Sequence, residues 1–92
     1  MRFRYRPLWG MSASERAYIR FTLLYLDRLP AEVGEAAREL AREVGGEYFD
    51  ALWAAITSED DMERTAFEYH MDRSTVGRLV RRYFKEYRKR FM

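Results

Sequence analysis

The 92 residues predict an all-α chain, a five-helix compact bundle that ends in a helix-turn-helix. Three observations predict it. Ser12 followed by Glu15 has the spacing of a capping box, which starts a helix. Val33, Ala37, Leu40 and Val44 repeat at the i, i+4, i+7, i+11 interval of a helix with one buried face. Between Met62 and Arg82, the residues Ala66, Met71, Val76 and Leu79 keep the intervals that pin two helices across a short turn.

The elements follow in order along one domain spanning residues 1–92. Met1 to Met11 carries Pro7 and Gly10 without a helical period and reads as an N-terminal arm. The first helix should run from Ser12 to about Leu29, stopped ahead of Pro30. Its charges, Arg16, Arg20, Asp27 and Arg28, share one side, and apolar residues cover most of the rest. A helix so apolar must be central to the fold or buried in a partner. Pro30 or Ala31 opens the second helix, and Gly45-Gly46 closes it, because glycine accepts the left-handed backbone of a helix end. The third helix is expected from about Glu47 to Thr57, burying Phe49, Leu52, Trp53 and Ile56. Ser58 should cap the fourth, with Glu59, Asp60 and Asp61 where the helix dipole favours acids. Asp72 should cap the fifth, which extends to about Arg90, so that residues 58–90 hold the helix-turn-helix.

Composition narrows the function classes. With 48% hydrophobic and 35% charged residues the chain reads as globular. It contains no cysteine, which removes disulfides and thiolate metal sites. The longest apolar run, within Phe21 to Leu26, is too short to span a bilayer, and the N-terminus lacks the apolar stretch of a secretory signal. A cytoplasmic protein is expected. Asparagine and glutamine are both absent, so base edges are left to Arg, Ser, Thr, His and Tyr.

The formal net charge of +2 hides a segregation. Residues 31–64 hold ten acids against three arginines, whereas 73–92 hold eight bases against Glu86 alone. A basic end on a nearly neutral chain is a local electrostatic footprint. At about 100° per residue, Val76, Val80, Tyr83, Tyr87 and Phe91 fall on one side of the fifth helix. Ser74, Arg78, Arg81, Arg82, Lys85 and Lys89 take the opposite side. That face is basic without interleaved acids, and it suits phosphate contact rather than plain solvation.

In the helix-turn-helix template, Ala66 is the small residue at the helix crossing and Met71 plugs the turn. Val76 and Leu79 anchor the second helix. Arg73-Ser74-Thr75 stands at its start, the part that reaches base edges. The turn position, usually glycine, is His70; histidine is enriched among non-glycine residues of positive φ.

The segment Glu47 to Lys85 resembles region 4 of bacterial sigma factors and the related ArpU and RinA kinds of phage late-gene regulators. The shared features are the apolar helix Tyr48-Phe49-Asp50-Ala51-Leu52-Trp53, a short acidic link, Ala66 and the run Asp72-Arg73-Ser74-Thr75-Val76. The resemblance covers less than half of the chain. It implies a transcriptional regulator of double-stranded DNA, with Arg73, Ser74, Thr75 and Arg78 facing bases. Arg81, Arg82 and Lys85 would face phosphates, joined by Lys89 on the same basic side, and RNA polymerase is an implied partner.

Other features were weighed against plainer explanations. The arm alternates Arg2, Arg4 and Arg6 with Phe3 and Tyr5, as arms entering a minor groove do, although a loosely held terminus explains it too. Glu32, Glu35, Glu39 and Glu43 line one side of the second helix and read as a solvated face, since the Glu-x-x-His pairing of a di-metal helical site is missing. His70, the sole histidine, has no ligand or nucleophile partner, so no metal, cofactor or enzymatic activity is expected. Phe21, Leu24 and Tyr25 are the expected homodimer surface. The alternative function is a protein-interaction module whose basic helix docks on acidic surfaces without DNA.

Overall fold

The computed structural model describes residues 11–59 and 62–92, and among these every regular element is helical. The expected capping box forms at the first helix, α1 (Ala13–Leu24). The Ser12 hydroxyl accepts from the Glu15 amide at 3.1 Å, and the Glu15 carboxylate accepts from the Ser12 amide at 3.0 Å. Then come α2 (Ala31–Gly45), α3 (Phe49–Thr57), α4 (Met62–Glu68) and α5 (Arg73–Phe91). Among the described residues five helical segments stand where five helices were expected.

The fifth is the axle. α5 packs on each of the other four helices, burying Val76, Val80, Tyr83, Phe84 and Tyr87. Around it lie Ile19 and Leu23 of α1, Leu40 and Val44 of α2, and Leu52 and Ile56 of α3. Tyr83 is wholly buried, and its hydroxyl donates to the Ala37 carbonyl at 2.9 Å, tying α5 to α2. Burial first, and then the neighbouring Tyr87, push its phenol well above the ordinary 10.0. Gly45 marks the tightest approach of α2 to α3, where a Cβ would meet Leu52 at 3.2 Å. Gly46 then reverses the chain at φ 56°.

Several boundaries differ from expectation, each for a local reason. α1 ends at Leu24 rather than Leu29, and a 3₁₀ turn over Leu26–Arg28 follows. Leu29 precedes Pro30 and must be extended (φ −111°, ψ 164°), so the chain tightens before it instead of winding on. A second 3₁₀ turn, Gly46–Tyr48, takes up the first residues of the expected third helix. Ser58 is not the cap of α4. It is extended at the C-terminal end of α3, and its carbonyl accepts from the Arg20 guanidinium at 2.7 Å. Asp60 and Asp61, expected in the first turn of α4, lie outside the described residues; Glu63 is in that turn. Asp72 does precede α5, but its backbone carbonyl rather than its side chain does the capping, accepting from Thr75 and Val76 at 3.1 Å each.

Burial also departs from the helical wheel in places. Met11, expected in the arm, is a core residue. Phe49 and Trp53 are only partly buried, because Arg42 and Arg38 lie over their rings at 5.2 and 5.1 Å. Phe91, expected on the buried face of α5, is 46% exposed, since the helix outruns the core there. Along α1 and its C-terminal cap the large residues divide: Ile19 and Leu23 are buried beside Thr22, while Tyr18, Phe21 and Tyr25 face outward.

Candidate nucleic-acid interface

The site begins at a helix end. α4 closes by a left-handed residue, and that residue is His70, at φ 56°. Two hydrogen bonds complete the closure: His70 donates to the Phe67 carbonyl at 3.3 Å, and Met71 donates to the Ala66 carbonyl at 2.9 Å. This pair of 5→2 and 6→1 bonds is a Schellman motif, which satisfies carbonyls the helix would otherwise leave open. The chain thereby turns sharply enough for α5 to pack back on α4. Ala66 is buried at the crossing, Val76 is fully buried, and Met71 and Leu79 lie partly buried against the core. All four residues expected to pin the motif do so. His70 is the only non-glycine residue of positive φ among the described residues.

That anchoring leaves the other side of α5 to solvent. Arg73, Ser74 and Arg78 are exposed and Thr75 is half-buried, so these four sit together at the helix start. Arg81, Arg82, Lys85 and Lys89 continue the exposed side toward the C-terminus. Among the described residues no carboxylate pairs with Arg78, Arg81, Arg82 or Lys85. Arg73 stands 4.0 Å from Glu63, and Lys89 stands 3.7 Å from Glu86; both pairs are exposed and weak. Beside the start of α5 runs a shallow groove of about 570 Å³, lined by Met62, Arg73, Ser74, Gly77, Arg78 and Arg81.

The remaining bases of α5 are engaged inside the molecule. Arg90 grips Glu43 of α2 through two hydrogen bonds of 2.8 and 3.1 Å, and Arg88 reaches Glu15 of α1 at 3.2 Å. Both carboxyl groups are held below the ordinary carboxylate value. For Glu15 the Ser12 amide is the main cause and Arg88 a lesser one; for Glu43 it is the Arg90 hydrogen bond. The acidic side of α2 is therefore partly a docking rail for α5 of the same chain. Glu39 meets Arg42 at 3.7 Å, and Glu32 and Glu35 are exposed. No cluster of metal-ligating side chains occurs among the described residues.

Two features escaped the sequence. Arg20, read as part of a charged side, turns inward and donates to the carbonyls of Ala55 and Ser58 at 3.2 and 2.7 Å. A charged-face pattern holds no sign of a carbonyl pair more than thirty residues away. The second is an open apolar groove of about 530 Å³ between α1, α2 and the end of α5, with Tyr18, Phe21, Tyr25, Val33, Tyr87 and Phe91 in its walls. Phe21 and Tyr25, expected at a dimer surface, meet there with ring centroids 4.6 Å apart and planes tilted by 41°. Leu24 is half-buried and does not line the groove. Arg2, Arg4 and Arg6, the possible minor-groove arm, lie outside the described residues. Among the described residues no helix is long and apolar enough to cross a membrane.

Comparison of the chain with protein-family models, with curated proteins and with solved structures found no match in any of the three.

Proposed function

We propose that this chain binds double-stranded DNA in a sequence-dependent way through α4 and α5, and that it acts as a transcriptional regulator of the bacterial or phage kind. One observation carries the reading. α5 divides its bases in two: Arg88 and Arg90 close on acids of their own chain, while Arg78, Arg81, Arg82 and Lys85 stand exposed without an acidic partner among the described residues. A helix that merely needed solubility would interleave acids on that face. Cations left unpaired on a helix held rigidly by a Schellman turn suit the phosphates of a duplex. Arg73, Ser74, Thr75 and Arg78, at the start of the helix, would meet base edges, and Arg81, Arg82, Lys85 and Lys89 the backbone.

One short helix reads few base pairs, so the reading includes a dimer. The surface that suits it is the apolar groove, with a second copy as occupant. Phe21 protrudes beside the hollow, and a ridge next to a hollow on one face can pair with the same face of another copy about a two-fold axis. Glu32 lines the groove, and Arg28 leans over the Tyr25 ring at 5.9 Å, so opposite charges are available to meet across that axis.

The alternative is an interaction module whose basic helix docks on an acidic protein surface. The exposure of Ser74 and Arg78 favours DNA over a helix sequestered by its neighbours. Selection of bound duplexes from a random pool, followed by fluorescence anisotropy, tests the proposal. A two-fold symmetric site and a steep salt dependence are expected; absence of duplex binding even at low salt would refute it.

A further inference from the structure

Gly77 occupies an odd place. It lies in the interior of α5, where glycine is less favourable than alanine, yet nothing among the described residues asks for it. Among them a Cβ added there would meet only the Met62 sulfur at 3.6 Å, an ordinary contact. Its φ is not in the left-handed region, and no backbone of the described residues crosses over it. What Gly77 does is floor the basic groove: Arg73, Ser74, Arg78 and Arg81 stand around a position that has no side chain.

We propose that this hollow seats a phosphodiester of the DNA backbone, and that Gly77 is where the nucleic acid approaches the protein most closely. The inference rests on the DNA-binding reading; within it, Arg73, Ser74 and Arg78 turn to a phosphate at this point rather than to base edges, and Gly77 is added to the interface. Three guanidinium groups and a hydroxyl supply donors suited to phosphate oxygens, and guanidinium matches that geometry in two-pronged fashion. The missing Cβ lets the backbone settle among them rather than above them. Arg73 is free to turn inward, because its exposed 4.0 Å contact with Glu63 holds it weakly. Met62, at the start of α4, forms the opposite wall and fixes the width of the hollow.

The fold carries its own control. Gly34 is another glycine inside a helix, with nothing within 4 Å of its added Cβ, and it lies in α2 away from the basic groove. Gly34→Ala and Gly77→Ala should both raise the melting temperature, since alanine is the better helix former in each. Only Gly77→Ala should weaken duplex binding, by roughly tenfold, and it should reduce the salt slope by about 1, the signature of one lost phosphate contact. Gly77→Leu, which fills the hollow with another good helix former, should lose more. Binding by fluorescence anisotropy over a salt series and thermal unfolding by circular dichroism supply the readouts. Unchanged affinity in both Gly77 variants would overturn the proposal, as would a lower melting temperature in Gly77→Ala. Weaker binding with an unchanged salt slope and altered sequence preference would overturn it too, in favour of a base edge at that point. If the unaltered protein bound no duplex, the DNA-binding reading itself would fail and take this inference with it.

Discussion

His70 holds a backbone conformation that side chains disfavour, and it does so at the turn that aims α5. A left-handed residue with a Cβ costs about 1–2 kcal/mol. Glycine would escape that cost but would lose more freedom on folding, so His70→Gly should be neutral to mildly stabilising, by at most about 1 kcal/mol. A β-branched residue escapes neither, and His70→Val should destabilise by about 1–3 kcal/mol. Urea unfolding of the two variants beside the parent protein checks both signs. The residue was legible in the sequence because the spacing of Ala66, Met71, Val76 and Leu79 places a turn there, and histidine tolerates positive φ better than most. Arg20 was not legible. Its partners are backbone carbonyls of Ala55 and Ser58, and backbone atoms leave no mark in a side-chain pattern. Removing its guanidinium strands both carbonyls in a half-buried place, so Arg20→Leu should cost about 1–3 kcal/mol in the same measurement.

α5 is one helix with two employments. Its first half is anchored by apolar contacts and leaves its cations exposed, whereas its last turns hold the bundle through Arg88 to Glu15 and Arg90 to Glu43. Helical period exposed the first half, because buried and basic residues separate cleanly at 100° per residue. It could not expose the second, since Glu15 and Glu43 lie 73 and 47 residues away. The helix limits were legible where glycine or proline punctuates them, as at Pro30 and Gly46. They were obscure where a 3₁₀ turn borrows residues, as over Leu26–Arg28. Two carboxyl groups, Glu15 held chiefly by the Ser12 amide and Glu43 by Arg90, give the element an acid limit. Glu15 and Glu43 have carboxyl groups lowered from 4.5 in the fold, so the unfolded chain binds more protons just below that pH. Their stabilisation is present above 4.5 and is lost as the pH falls through the lowered values. The double variant Glu15→Gln, Glu43→Gln should therefore show a flatter decline of melting temperature below pH 4.5 than the parent protein.

At the scale of the molecule, charge and apolar surface are sorted to different places. Arg73, Arg78 and Arg81 line the groove at the start of α5, while the exposed rings of Tyr18, Phe21, Tyr25 and Phe91 line the groove where α1 meets the end of that helix. If a second copy covers the groove, Phe21→Asp should shift the sedimentation velocity profile toward monomer. It should also weaken duplex binding while leaving the salt slope per monomer unchanged, since no phosphate contact is touched. The opposite pattern, a reduced slope with the oligomeric state intact, belongs to Arg81→Ala and Lys85→Ala, at about 1 each. Tyr83, sealed between α5 and α2, bounds the molecule from the alkaline side. Its phenol is neutral in the fold at pH values where an unfolded chain would already have ionised it, so the stability it adds is complete below 10.0 and drains away above it. An alkaline titration followed by ultraviolet absorbance checks this. Tyr83 should wait until the helices themselves are lost, and its late rise in ultraviolet absorbance makes a native side chain the optical reporter of global unfolding.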